Sequence, residues 1–149
     1  LNNLLFMGYP GLAPREGWPL FENALGPFGR PYYAIWSLGM NGNSDSGDTI
    51  DFLYWSNLRN FLSRCKVYNV TPVLCTVPTV PSRDHEARNA WIRTSGYRYI
   101  DFADAVGAQA DGTWYSGMLS TDNVHPTALG AKALYMRAIR DFPELTFGA

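Results

Sequence analysis

The chain has 149 residues, and 12 Lys and Arg set against 13 Asp and Glu leave a net charge of −1. That balance lacks the basic footprint with which proteins grip nucleic acid or anionic membrane surfaces, and no apolar run reaches the ~18–20 residues of a membrane span. Hydrophobic residues make up 46% and charged residues 17%, enough for a packed core and too apolar for a disordered chain.

In chain order, the run Leu4–Met7 reads as a strand, followed by the loop Gly8–Ala13 and a short helical stretch, Leu20–Leu25. A second apolar run, Tyr32–Leu38, leads into the Gly- and Asn-rich loop Gly39–Ser46. The longest helical period covers Thr49–Tyr68, where Ile50, Leu53, Tyr54, Asn57, Leu58, Phe61, Leu62 and Cys65 recur at threes and fours. Asp48 or Thr49 is placed to cap it, and Asp51 puts negative charge in its first turn. A strand at Pro72–Val77, a loop at Pro78–His85 and a helix at Asp84–Thr94 follow, then a strand at Tyr97–Asp101. The loop Asp111–His125 enters a last helix, Thr127–Phe142, with Leu129, Ala133, Met136, Ile139 and Arg140 along one stripe. Pro126 is expected in its first turn and Pro143 at its end.

Three of the four strand-like runs are nearly continuous in hydrophobicity, as strands covered on both faces are. Alternation of strands and helices without linker or repeat predicts one α/β domain with a parallel sheet between helices. In such sheets ligands bind beyond the carboxyl ends of the strands, which directs attention to the four loops just named. Cys65 and Cys75 sit in apolar runs and read as buried free thiols, with neither a disulfide framework nor a CxxC metal spacing.

His125 lies in Thr121-Asp122-Asn123-Val124-His125-Pro126, at the entry to the last helix. An Asp three residues before a His can fold back within one tight turn and accept the imidazole Nδ1–H, leaving Nε2 to take a proton from a nucleophile. Such a pair also arises as ordinary helix capping. Gly39-Met40-Asn41 follows a strand, so the Asn41 amide at the ligand edge of the sheet is placed to donate to a developing oxyanion; Gly and Asn are equally the usual turn formers.

Taken as an ordered pair, Ala34-Ile35-Trp36-Ser37-Leu38-Gly39-Met40-Asn41 and Asp122-Asn123-Val124-His125-Pro126 resemble the third and fifth blocks of the SGNH (GDSL-type) hydrolases. The run Asp111–Ser120 looks like the carbohydrate-esterase-like members of that group. The resemblance implies a three-layer α/β/α, flavodoxin-like sheet and serine esterase activity on O-acetyl esters of carbohydrate, with no cofactor and no metal. It implies His125 as general base, Asp122 as the group that orients it, and Asn41 as an oxyanion donor. A second donor, a backbone N–H, falls in Gly8-Tyr9-Pro10-Gly11-Leu12-Ala13, with Gly11 favoured over Gly8. Trp114 and Tyr115 are candidates for stacking on a sugar ring, and equally for ordinary packing.

Two departures from the family pattern stand out. Gly42 occupies the position where the third block usually has Asp, with Asn43 and Asp45 nearby. The nucleophilic Ser belongs to a Gly-Asp-Ser turn ahead of the second block, and no serine precedes Gly8. The expectation is therefore a nucleophile and first strand supplied upstream of Leu1, as a fragment, a partner chain or further residues. Ser46, Ser82, Ser116 and Ser120 read more simply as loop or cap serines. Asp84-His85-Glu86 reads as capping with exposed charge rather than as metal ligands, and Arg83, Arg88 and Arg93 as a water-facing set. A rival reading keeps the fold and an aromatic cleft as a glycan-binding module without catalysis; the retained Asp122, His125 and Asn41 speak against it. No compartment is assigned.

Overall fold

The structure, a computed structural model, describes residues 11–41 and 48–145. It divides into two compact units at Val73–Leu74, and each is described separately.

The first unit begins with helix α1, Pro14–Phe28. It starts six residues ahead of the stretch expected from the sequence and takes in Pro14, Gly17 and Pro19. Pro14 is harmless at the first helical position, where no N–H is needed. Glu16 closes the start by accepting the Ala13 N–H at 2.9 Å. Gly17 is required by packing, because a Cβ there would strike Trp36 and Leu38. Strand β1, Tyr33–Trp36, is shorter than expected and alternates, with Ala34 and Trp36 buried and Tyr33 exposed. Helix α2, Asp48–Tyr68, matches the predicted period: Tyr54, Leu58, Phe61 and Cys65 are all buried. Phe61 packs against Trp36 at 4.9 Å and Phe21 at 5.5 Å between ring centroids. Across α1 and α2, buried Asn57 accepts the Trp18 indole N–H at 3.1 Å and donates to Leu53 O at 2.7 Å. Asn69, at φ 53°, ends α2 in the left-handed conformation that asparagine tolerates.

Strand β2, Thr71–Cys75, buries Val73, Leu74 and Cys75 in succession, as its unbroken hydrophobicity implied. Both cysteines are buried outside any disulfide, and burial pushes the Cys65 thiol up to about 12.

In the second unit, helix α3, Glu86–Thr94, leads to strand β3, Arg98–Ile100, and a one-turn helix α4, Phe102–Ala105, that the sequence did not announce. Helix α5 spans Ala128–Asp141, and a 3-10 turn at Pro143–Leu145 follows where Pro143 stops it. The strands form one parallel sheet in the order β1-β2-β3, an α/β arrangement as expected. The run Leu4–Met7 lies outside the described residues.

Polar side chains fix the loops that leave this unit's strands. Asn89, fully buried, brackets Val77, accepting from its N–H and donating to its carbonyl, both at 2.8 Å. Thr76 Oγ1 donates to Asp101 at 2.9 Å and accepts from Ala103 N at 2.9 Å. Asp101 also takes two hydrogen bonds from Arg93 and caps α4 through Asp104 N.

Several expectations need correction. Arg88 is buried, not water-facing, with Nη1 3.3 Å from His85 Nδ1; Arg83 and Arg93 are exposed as expected, Arg93 while also paired with Asp101. His85 is likewise buried while Asp84 beside it is exposed and caps the Glu86 N–H at 2.8 Å. A helical period alone does not reveal this burial. Pro126 precedes the cap of α5 rather than lying in its first turn, and Thr127 is that cap. On α5, Leu129 and Met136 are exposed. Asp48 is already helical in α2, and what caps that helix lies outside the described residues.

Candidate active site

The segment from Met118 to Thr127 folds back on itself. Thr127 N–H donates to Met118 O at 2.8 Å, Ser120 N–H to His125 O at 2.9 Å, and Leu119 and Pro126 form an antiparallel bridge. At the tip Asn123 takes φ 58° and donates to Ser120 O at 3.0 Å. Asn is among the few residues that enter this region at small cost, which explains an Asn between Asp122 and His125. Thr127 anchors the exit: its hydroxyl donates to Gly117 O at 2.6 Å and accepts from Gly130 N at 3.2 Å.

Within this turn Asp122 divides its two oxygens. Oδ1 accepts from the Ser120 hydroxyl at 2.5 Å, from Val124 N at 2.9 Å and from His125 N at 2.9 Å. Oδ2 faces His125 Nδ1 at 2.8 Å. The Ser120 hydroxyl foremost, then the N–H groups of His125 and Val124 and the imidazole, hold the Asp122 carboxyl well below the usual carboxylate range. An ionised carboxylate only accepts, so the proton between the two lies on Nδ1 and the lone pair of Nε2 is left outward. The side chains are open, His125 77% and Asp122 53% exposed. The arrangement provides an oriented imidazole with Nε2 facing outward, a geometry chemically suited to accepting a proton.

The loop before this turn is tied to the segment leaving β2. Trp114 donates its indole N–H to Thr79 O at 2.7 Å, and Gly112 lies where a Cβ would collide with the backbone of Val80 and Pro81. Trp114 is half-buried, whereas Tyr115 is 58% exposed with its ring laid over Gly107. Asp111 closes a local turn by accepting from Thr113 N and Oγ1.

Asn41 and Gly11 belong to the first unit. Asn41 is half-buried in the bend after β1, and Gly11, exposed and at φ 80°, precedes α1. Gly8, Gly42, Asn43, Asp45 and Ser46 lie outside the described residues. Of the other serines, Ser82 and Ser116 are exposed in loops, and the Ser120 hydroxyl is directed at Asp122 rather than at imidazole. Its placement had a signal in the sequence, the Ser-x-Asp spacing of a local side-chain turn. Among the described residues no three His, Cys, Asp or Glu side chains group as metal ligands, and no helix is long and apolar enough to cross a membrane.

No protein-family profile matches the chain, and no curated protein does. Solved structures do. A GDSL-like lipase from Bacteroides thetaiotaomicron superposes with a TM-score of 0.67 at 14% identity, over 91% of this chain and 73% of its own. A protein from Desulfitobacterium hafniense assigned to the lipolytic G-D-S-L family gives 0.66 at 17% identity, over 89% and 77%. A Bacteroides fragilis protein assigned as an acylhydrolase gives 0.61 at 15% identity, over 87% and 71%. At such low identity the likeness is one of backbone architecture, and it agrees with the ordered Asn41 and Asp122–His125 blocks: the chain has the fold of the GDSL-type, or SGNH, hydrolases.

Proposed function

We propose that this chain is the base-bearing part of a serine esterase. The observation that carries the reading is the 2.8 Å contact of His125 Nδ1 with an ionised Asp122, on a fold shared with a GDSL-like lipase, a protein assigned as lipolytic and one assigned as an acylhydrolase. His125 Nε2 takes the proton of a serine hydroxyl as that oxygen attacks the ester carbonyl carbon. The tetrahedral intermediate collapses, the C–O bond to the alcohol breaks, and the imidazolium returns the proton to the departing alkoxide. Water, activated by the same nitrogen, then attacks the acyl-serine and releases the carboxylic acid. Asp122 keeps the ring in the tautomer this sequence requires and stabilises the imidazolium. Asn41 and the Gly11 N–H are the proposed oxyanion donors. The proposed nucleophile is the serine that the family's block order places ahead of the second block, and the Ser120 hydroxyl is engaged with Asp122.

The proposed substrate is an O-acetyl ester of a carbohydrate, supported by the resemblance of the Asp111–Ser120 run to carbohydrate-esterase-like members of the group and by the exposed Tyr115 ring, a surface on which a sugar can stack. Intact-mass spectrometry before and after a fluorophosphonate probe tests the reading. An adduct on a polypeptide carrying residues upstream of Leu1 supports it. An adduct on a serine within residues 1–149 overturns the upstream nucleophile, and no adduct on the folded complete protein favours the glycan-binding module.

A further inference from the structure

Ser120 is the residue whose hydroxyl does something the mechanism has not yet used. We infer that Ser120 is a positioning residue for the Asp122–His125 pair, acting through the carboxylate rather than on substrate; this rests on the esterase reading above. Three donors converge on Asp122 Oδ1, and two of them are backbone N–H groups that belong to the turn itself. The Ser120 hydroxyl, at 2.5 Å, is the only side chain among them. It approaches from the opposite strand of the turn, where the Ser120 backbone is already pinned by His125 O and Asn123 N. The carboxylate is thereby held from both sides, and its rotation about the Cβ–Cγ bond, which would carry Oδ2 off the imidazole, is blocked.

The restraint matters because the pair is open to solvent. A water-exposed Asp–His contact is weak unless its geometry is set in advance, since long-range attraction is screened there. Among the described residues no other charged side chain is paired with either member, so no neighbouring ion substitutes for the hydroxyl. A donor on Oδ1 also lowers the basicity of the carboxylate, and so tempers the pull that Oδ2 exerts on the imidazolium.

The test compares Ser120→Ala, Ser120→Thr and His125→Ala in the complete, serine-bearing enzyme, with p-nitrophenyl acetate as probe. Ser120→Ala is expected to lower kcat roughly tenfold with KM unchanged, the typical worth of a hydrogen bond to a charged group. It is also expected to move the acidic limb of the kcat/KM profile to higher pH, because a carboxylate with fewer donors holds the imidazolium more strongly. Ser120→Thr, which keeps the hydroxyl, should restore both. If the alanine variant does not fold, Ser120→Cys, nearly isosteric with a weak donor, takes its place. Imidazole 15N shifts of His125 provide a readout independent of turnover, and are expected to show a mixture of tautomers only in the variants without the hydroxyl. Unchanged kcat and acidic limb in Ser120→Ala, an effect on KM alone, or equal loss in Ser120→Thr would each overturn the inference. Activity surviving His125→Ala would instead overturn the esterase reading itself.

Discussion

Arg93 holds Asp101 through two hydrogen bonds, Nε to Oδ2 at 2.8 Å and Nη2 to Oδ1 at 2.9 Å, and links α3 to the end of β3. The carboxylate is buried, and Thr76 and Asp104 supply its remaining donors. Burial pushes the Asp101 carboxyl up, and the Arg93, Thr76 and Asp104 hydrogen bonds outweigh it, so the net displacement is below the usual carboxylate range. Arg137 adds a second cation to the same region, bonded to Asp104 and, at 2.5 Å, to Asp141.

Breaking that pair is expected to cost more than a surface ion pair does. Arg93→Met leaves a buried carboxylate without its main partner, which costs about 2–4 kcal/mol once the partial exposure of the guanidinium is allowed for. Urea denaturation at neutral pH reads the change, and a loss under about 0.5 kcal/mol would show that Thr76 and Asp104 suffice alone.

The same group carries a pH dependence. A carboxyl lowered in the folded state binds its proton more readily when unfolded, so its stabilisation is present above the unfolded value, near 3.8. It is lost as pH falls through the lower folded value. Stability should therefore fall steeply below about pH 4, with Asp141, also lowered, contributing to the slope. Asp101→Asn should flatten that slope in a series of denaturation midpoints taken from pH 6 to pH 2.

Gly112 is expected to accept no side chain. Its φ is 83°, and a Cβ would run into the backbone of Val80 and Pro81, which has no room to give. Gly112→Ala combines left-handed strain with overpacking, together about 2–4 kcal/mol. Hydrogen exchange should locate the loss in the loops around residues 78–85 and 107–120, and a variant as stable as the parent would refute the close approach.

Trp114 offers a way to separate packing from substrate stacking. Trp114→Phe keeps an aromatic face but leaves the buried Thr79 carbonyl without its donor, for about 1–2 kcal/mol. If the ring also stacks on a sugar, Phe should keep KM for an acetylated oligosaccharide near the parent value while Trp114→Ala raises it severalfold. Equal KM in all three assigns Trp114 to packing alone.

Asn41→Ala tests the proposed oxyanion donor. Loss of one such donor raises the barrier by about 2.7–4 kcal/mol, so kcat should fall on the order of a hundred- to a thousandfold with little change in KM. Turnover within a factor of three of the parent would remove Asn41 from the oxyanion site.

Much of the site was legible because its parts are local. Asp122 and His125 are three residues apart, Asn123 between them suits the left-handed tip, and Thr127 is a good cap; such interactions depend on neighbours in the chain, so residue types at fixed spacing announce them. The buried stripe of α2 and the unbroken apolar run of β2 were legible for the same reason, since periodicity records which faces are covered. What tertiary structure alone decided were the cases where a distant residue overrides local preference. Helix α1 persists through Pro14, Gly17 and Pro19 because Phe21 packs on Phe61, forty residues away, and because Trp36 needs the space at Gly17. Arg88 and His85 are buried although charge and helical position favour water, and the Trp114 indole is tied to Thr79. Local sequence encodes torsional preference and the amphipathic face; which chain segment covers that face is set only when residues far apart in sequence meet.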